Sequence, residues 1–119
     1  MRHNIESDLF RLEHIQDCIE KITILVNSCK TLEVFKDKWI EQDAMIRNFE
    51  IIGEAANHIS DETKRNYLSI EWHKMRGMRN FMSHEYFGVK LETIWETAIE
   101  NIPLLKIQIA EIISDIEGK

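Results

Sequence analysis

The first quarter of the chain carries a single apolar stripe. Seven aliphatic residues recur there at steps of three or four positions, namely Ile5, Leu9, Leu12, Ile15, Ile19, Ile22 and Val26. This spacing puts them on one face of a helix over about residues 4–27, with a period of about 3.5 residues. Helices with such a stripe pack lengthwise on a near-antiparallel neighbour. The chain is therefore expected to begin as one member of a helical bundle.

A second long helix is predicted to start with Asp37 as its cap and to run to about His58. Its apolar residues again recur at helical spacing, and they form an inner face of Met45, Phe49, Ile52, Ala56 and Ile59. Gly53 interrupts this helix, and a glycine costs about 1 kcal/mol relative to alanine in a helix interior. That cost is understandable if another helix, within the chain or across a dimer interface, approaches closely at Gly53.

The last long helix is predicted from about Leu91 to Glu117. Pro103 lies inside it and predicts a kink or a restart, because proline removes a backbone donor. Shorter helices are expected between the long ones: one capped by Ser60 or Asp61, and one for which Ser69 is a candidate cap. The segment "TLEVF" at residues 31–35 predicts a turn or a helical fragment.

The composition agrees with one all-α domain spanning residues 1–119. The chain has four Gly and one Pro, which is too little punctuation for a sheet of many strands. Its apolar runs are too short to span a membrane and its first residues lack a signal-peptide pattern, so a cytoplasmic protein is expected. Cys18 and Cys29 share no metal-binding spacing and are predicted to be buried, reduced thiols.

The most unusual stretch is "GMRNFMSHEYFGV" at residues 77–89, which sets Arg79, Asn80, His84 and Tyr86 within eight positions. In a continuous α-helix Asn80 and His84 share a face, so the amide can orient the imidazole. Arg79 and His84 are five residues apart, about 140° around the axis, and do not converge. Either the helix ends near Ser83, or Arg79 and His84 act together across two subunits.

An arginine and a histidine together can cleave RNA without a metal ion. The guanidinium binds phosphate oxygens in bidentate fashion, and an imidazole near neutral pH moves a proton in either direction. His84 would take the proton of a 2′-hydroxyl or protonate the 5′-oxygen, and Arg79 would stabilise charge on the pentacovalent phosphorus. The spacing alone is more typical of a structural salt bridge or cap, so both interpretations stay open at this point.

The charge of the chain is unevenly distributed. The net charge is −6, yet the window from Lys64 to Lys90 holds six basic residues against two acidic ones. Such an island suits a polyanion bound at one place, although a short window can also reach this balance by chance. Within it, His73, Lys74 and Arg76 are candidates for contacts to RNA phosphates.

The remaining histidines and the acidic residues give weaker signals. His3, His14 and His58 are dispersed along the chain and are predicted to be surface residues without a catalytic role. The acidic residues of the middle of the chain are interpreted as a solvated helix face, since no histidine accompanies them at metal-ligand spacing: Glu50, Glu54 and Asp61. No metal site and no cofactor is predicted.

The motif "RNFMSHEY" resembles the Arg-Asn-x3-His-x-Tyr signature of the HepT-like toxins, small all-helical proteins of the HEPN superfamily. The likeness extends over essentially the whole chain, through "QDAMIRNFEIIGEAANHIS" and "IEWHKMRGMRNFMSHEYFGVKLETIWETAIENIPLLKIQI". No motif position departs from the signature. The resemblance implies a HEPN-type bundle of three long helices plus short helices, assembled as a homodimer.

For function, the resemblance implies the toxin of a type VII-like toxin–antitoxin system, a metal-independent endoribonuclease acting on tRNA or mRNA. Arg79 and His84 become the catalytic pair in a cleft shared by two subunits, with Asn80 as a supporting polar residue. The antitoxin is a minimal nucleotidyltransferase that transfers AMP from ATP to the motif tyrosine, here Tyr86. Such a dimer would also bring Arg79 and His84 together across its two-fold axis.

A second hypothesis belongs to another class of protein. A non-catalytic helical adaptor that binds nucleotide or RNA, or that only docks a nucleotidyltransferase, would have the same fold. For Tyr86 the alternative is a phenol that packs beneath the motif. Metal-free cleavage assays on variants of Arg79 and His84 distinguish the two classes.

Overall fold

The computed structural model describes residues 2–83 and 90–118. Within these ranges the chain is a bundle of helices without a strand, which confirms the predicted all-α class. The elements are α1 (Arg2–Cys29), α2 (Leu32–Lys36), α3 (Trp39–Asn57), α4 (Asp61–Asn66), α5 (Trp72–Gly77), a 3₁₀ helix (Met78–Ser83), α6 (Leu91–Glu100) and α7 (Ile102–Glu117).

The core of the bundle forms where α1 and α3 pack together. The two helices run antiparallel: Asp8 near the start of α1 bonds to Ser60 just beyond the end of α3. At the other end, the thiol of Cys29 is close enough to Glu41 and Lys38, at the start of α3, to be influenced by their charges. The stripe predicted for α1 faces inward along its centre, where four residues are buried: Leu12, Ile15, Ile19 and Ile22.

The apolar face predicted for the second long helix is also confirmed. All five residues of the inner face assigned to the second long helix are buried: Met45, Phe49, Ile52, Ala56 and Ile59. Phe35 of α2 closes one end of the core against Trp95 of α6, with ring centroids 5.1 Å apart. Ile5 is the exception in the first stripe, since it is 43% exposed near the start of α1.

Two of the predicted caps are wrong. Asp37 does not cap α3. It ends α2, where its backbone N–H bonds to the carbonyl of Val34, and Lys38 takes the N-cap position without a side-chain bond. Ser69 does not cap α5 either, because that helix begins later, after Glu71. In both places the N-cap position falls one or two residues after the predicted cap.

Ser60 caps α4 as predicted, and Asp8 fixes this cap onto α1. The hydroxyl of Ser60 accepts a bond from the backbone N–H of Thr63. Asp8 is only 2% exposed, and it accepts bonds from Ser60 N at 2.9 Å, Ser60 Oγ at 2.5 Å and Thr63 Oγ1 at 2.6 Å. The buried carboxylate is thus fully hydrogen-bonded, which is the condition for burying a charge without a large penalty.

Pro103 marks a restart rather than a kink. α6 ends at Glu100, α7 begins at Ile102, and Pro103 lies in the first turn of α7. The missing N–H of proline is harmless there, because the first N–H groups of a helix have no intrahelical acceptor.

Both cysteines are buried and free, as predicted. Burial raises the pKa of the Cys18 and Cys29 thiols, which keeps them protonated at neutral pH. In the part of the chain that the structure describes, no helix is long and apolar enough to cross a membrane.

Candidate functional site

Arg79 and Asn80 lie on a 3₁₀ helix, so the continuous α-helix considered from the sequence does not extend through Met78–Ser83. α5 ends at Gly77, and the chain continues in 3₁₀ turns through Met78–Ser83. A 3₁₀ helix has about three residues per turn, so residues three apart are eclipsed and the α-helical angles no longer apply. The segment packs on α3, with Arg79 directly against Gly53. The close approach predicted at Gly53 therefore occurs within the chain.

The guanidinium of Arg79 is held at two of its nitrogens. Nε donates to the carbonyl of Arg76 and Nη1 donates to Oε2 of Glu54, each at 3.3 Å. A guanidinium carries five N–H groups, and no described residue accepts a bond from Nη2. The side chain is 39% exposed. Arg79 is thus anchored to the protein while it keeps donors available for an anionic ligand.

Glu54 connects Arg79 to His58. Its Oε1 lies 3.0 Å from Nε2 of His58, one turn later on α3, and its Oε2 accepts the bond from Arg79. The hydrogen bonds from His58 and then from Arg79 lower the pKa of the Glu54 carboxyl below its ordinary value. Glu54 consequently stays charged at neutral pH and orients the guanidinium.

A groove of about 700 Å³ opens beside these residues. Arg79 and Asn80 line one side of it, and α3 contributes residues along its length. Phe10, Arg11 and His14 of α1 line the other side. Since α3 lies between α1 and the 3₁₀ helix, the groove crosses three elements that are distant in sequence.

The residues predicted to contact RNA phosphates do not join Arg79 in this groove. His73 and Lys74 line a separate depression between α5 and α6. The side chain of Arg76 lies beside His73, with its Nη2 at 3.2 Å from Nδ1 of His73. The backbone carbonyl of Arg76 accepts the hydrogen bond from Nε of Arg79. Their contact with RNA stays a prediction.

His84 and Tyr86 lie outside the described residues. Their roles as catalytic partner and modification site therefore remain predictions from the sequence. Across residues 2–83 and 90–118, no three or more His, Cys, Asp or Glu side chains are grouped so that they could hold a metal ion.

The sequence interpretation missed Glu54. It was assigned to a solvated acidic face, and its side chain is indeed 55% exposed, but it also binds Arg79. The available signal was His58, four residues later on the same helix, since residues at that spacing are neighbours on a helix surface. His14 and His58 are exposed as predicted, yet both line the groove next to Arg79.

The arrangement suits recognition of a phosphate group. Arg79 supplies a positive charge held in place by Glu54 and the Arg76 carbonyl, with N–H donors that no described residue binds, and the exposed Asn80 lies next to it. Charge-assisted bonds from a guanidinium to phosphate oxygens are among the strong hydrogen bonds of proteins. The same guanidinium can stabilise charge that develops on phosphorus during a reaction.

Comparison with known proteins identifies the family. A family model described as "Ribonuclease HepT-like" matches residues 15–112. A protein of Thermococcus cleftensis named "Probable ribonuclease HepT" is 40% identical over 95 residues, covering 80% of this chain and 86% of the relative. "Putative RNase MJ1216" of Methanocaldococcus jannaschii is 36% identical over 107 residues, covering 88% of each chain. No solved structure matches this chain significantly. Matched over most of its length, the chain belongs to the HepT-like ribonuclease family.

Proposed function

We propose that this protein is a metal-independent endoribonuclease that cleaves RNA with Arg79 and His84. The observation that carries the proposal is the state of Arg79: Glu54 and the Arg76 carbonyl hold it at the groove, and no described residue accepts a bond from its Nη2. The names of the relatives support the choice of RNA as the substrate.

In the proposed reaction His84 removes the proton of a 2′-hydroxyl. The 2′-oxygen then bonds to phosphorus, and the bond from phosphorus to the 5′-oxygen breaks as that oxygen receives the proton that His84 has taken up. The products are a 2′,3′-cyclic phosphate and a 5′-hydroxyl. Arg79 stabilises the additional negative charge on the pentacovalent phosphorus, and Asn80 supports the site as a polar neighbour.

A second copy of the chain is proposed to complete the site. In a homodimer, the Arg79 and His84 pairs of both subunits would face one cleft, which removes the need for the pair to converge within one chain.

We also place the nuclease in a toxin–antitoxin pair whose antitoxin is a minimal nucleotidyltransferase. The Tyr86 hydroxyl would attack the α-phosphorus of ATP, gaining AMP and releasing pyrophosphate. The added group is bulky and negatively charged, and it would lie two residues from His84. Steric exclusion and charge repulsion would then keep RNA out of the cleft.

The catalytic pair is tested with purified protein, tRNA and mRNA in the presence of a metal chelator. Wild type is expected to cut, and Arg79→Ala and His84→Ala are each expected to cut at least about 100-fold more slowly. Equal cleavage by all three proteins would show that the pair is wrong. If wild type neither cuts RNA nor slows growth when expressed, the non-catalytic adaptor becomes the better description.

The proposed modification is tested by co-expression with a minimal nucleotidyltransferase antitoxin. Mass spectrometry is expected to find AMP on a peptide that contains Tyr86, and no modification in Tyr86→Phe. A protein that is neutralised yet unmodified would instead indicate inhibition by masking of the cleft.

A further inference from the structure

The groove continues beyond Arg79 to two further arginines. Arg47 on α3 and Arg11 on α1 both line it, although the two residues are far apart in sequence. They face the same space as Arg79, which gives the groove three guanidinium groups in a chain of net charge −6. Glu50 and Glu54 also line the groove, so its three arginines exceed its carboxylates by one. A local excess of positive charge in an acidic protein indicates an anion-binding surface.

Arg11 is built into the wall of the groove. Its Nε atom is buried and has no hydrogen-bond partner among the described residues. Burial at Nε limits the freedom of the side chain, so less entropy is lost when the guanidinium binds an anion.

Arg47 is exposed and forms a weak surface ion pair. Its Nη1 donates to Glu50 at 2.6 Å, one turn along α3, and its side chain is 67% exposed. Exposed ion pairs of this kind contribute little to stability because water screens them. A backbone phosphate, whose two non-bridging oxygens share one negative charge, can therefore replace Glu50 as the partner of Arg47.

Arg47 and Arg79 lie at different positions along the groove. Glu54, the partner of Arg79, lies seven residues after Arg47 on α3, which corresponds to about 10 Å along the helix axis. A ligand that carries several phosphates along its length can contact both arginines. A nucleic acid strand has this property.

An exposed aromatic ring lies on the same surface. Phe10 on α1 lines the groove and is 70% exposed, and it is the residue next to Arg11. Unpaired bases stack on exposed aromatic rings in proteins that bind single-stranded RNA. A phenyl ring beside a guanidinium can thus receive one base together with its phosphate.

We propose that Phe10, Arg11 and Arg47 form a binding site for a nucleotide that neighbours the cleaved phosphate in a single-stranded RNA. This proposal rests on the proposed function, because Arg79 defines where cleavage occurs. Phe10 stacks on the base, and the two arginines bind phosphate oxygens of the backbone. The site strengthens substrate binding and takes no part in the proton transfers.

The test measures binding of a short single-stranded 2′-O-methyl RNA, which lacks the nucleophilic hydroxyl, and cleavage of the matching unmodified RNA. Arg47→Ala is expected to weaken binding about tenfold and to reduce the slope of log affinity against log salt by about 0.7, the value for one phosphate of a single strand. Its KM rises while kcat stays within about twofold of wild type. Phe10→Ala is expected to weaken binding about tenfold without changing the salt slope.

Matched controls separate this effect from general changes in charge or exposed surface. Lys106→Ala removes one positive charge and a surface ion pair with Glu20, and it lies on α7 away from the groove. Trp39→Ala removes an aromatic ring that is 68% exposed and does not line the groove. Arg11→Met keeps the apolar stem, so that loss of binding in this variant reports the guanidinium rather than a packing defect.

Three outcomes overturn the proposal. In the first, Arg47→Ala and Phe10→Ala bind and cleave RNA like the control variants Lys106→Ala and Trp39→Ala. In the second, the two substitutions lower kcat alone. In the third, light scattering shows that Phe10→Ala changes the molecular mass of the protein in solution. The groove is then an interface between subunits. If wild type binds the RNA with the expected dependence on Arg47 but cuts nothing, the binding site stands and the proposed nuclease function fails.

Discussion

A Cβ atom on residue 53 would come within 2.6 Å of Cγ and 2.8 Å of the backbone N of Arg79, and within 3.0 Å of the Arg76 carbonyl oxygen. Only glycine lets the 3₁₀ helix approach α3 this closely. Glu54, the next residue on α3, then accepts a hydrogen bond from the Arg79 guanidinium. Gly53 and Glu54 are therefore positioning residues for the arginine that the proposed reaction requires.

Gly53→Ala is expected to displace Arg79 and to lower cleavage at least about tenfold, because small displacements of a catalytic group are costly. Alanine gains about 1 kcal/mol of helix propensity, but overpacking against backbone atoms costs about 1–3 kcal/mol. Thermal unfolding should therefore show equal or lower stability. Gly77→Ala is the matched control, since a Cβ there meets no atom within 4 Å. A fully active Gly53→Ala protein would contradict the positioning role.

Glu54→Ala is expected to reduce kcat about tenfold through a less ordered Arg79, whereas Glu54→Gln keeps an acceptor oxygen and loses less activity. Glu20→Gln, which affects a surface pair with Lys106, serves as the control and should act like wild type. Equal kinetics for Glu54→Ala and Glu54→Gln would argue against the hydrogen bond to Arg79.

The hydrogen bonds that Glu54 accepts from His58 and Arg79 predict a dependence of stability on pH. Because the folded protein lowers the pKa of Glu54 below the ordinary value of 4.5, folding favours the charged form. The stability difference between wild type and Glu54→Gln should be constant above the ordinary pKa. It should shrink as the pH falls through the lowered pKa, where the folded protein also becomes protonated. Urea unfolding at a series of pH values measures this, and a difference that grows on acidification would contradict it.

Asp8→Ala is expected to lower the free energy of unfolding by about 2–4 kcal/mol. The substitution leaves the backbone N–H and hydroxyl of Ser60 and the hydroxyl of Thr63 without their buried acceptor, and a buried unsatisfied donor costs about 1–3 kcal/mol. Asp17→Ala removes a carboxylate that is 62% exposed and paired with Lys21, so it should change stability by less than about 1 kcal/mol. Similar losses in both variants would show that burial of Asp8 is unimportant.

Tyr67→Phe tests the contact between the end of α4 and α7. The Tyr67 hydroxyl donates to Oδ2 of Asp115 at 2.6 Å, and its removal should cost about 1 kcal/mol. Burial, followed by this bond, raises the pKa of Tyr67 to about 12 from 10.0. The stability advantage over Tyr67→Phe should therefore be complete below pH 10 and disappear as the pH rises towards 12. If the stability of wild type relative to Tyr67→Phe instead increases over this pH interval, the raised pKa of Tyr67 is wrong.

Local patterns in the sequence were sufficient to predict most of the helices. The stripe around Ile15 and Ile19, the serine cap at residue 60 and the restart at Pro103 each depend on residues within a few turns of one another. Caps failed where two elements compete for one residue, as at Asp37, which ends α2 and is then no longer available to α3. The 3₁₀ winding at Arg79 was not evident, because a motif spacing does not show which type of helix the tertiary contacts select.

The sequence by itself determined the all-helical class, the inward faces of the long helices and the presence of an Arg–Asn motif with a histidine and a tyrosine close behind. Only the tertiary structure decided that Gly53 and Glu54 hold Arg79, that Asp8 anchors α4, and that Arg11 and Arg47 share a groove with the motif. The physical reason is one of distance. Helical periodicity acts over a few residues, whereas these contacts join residues tens of positions apart, and packing of the bundle brings them together.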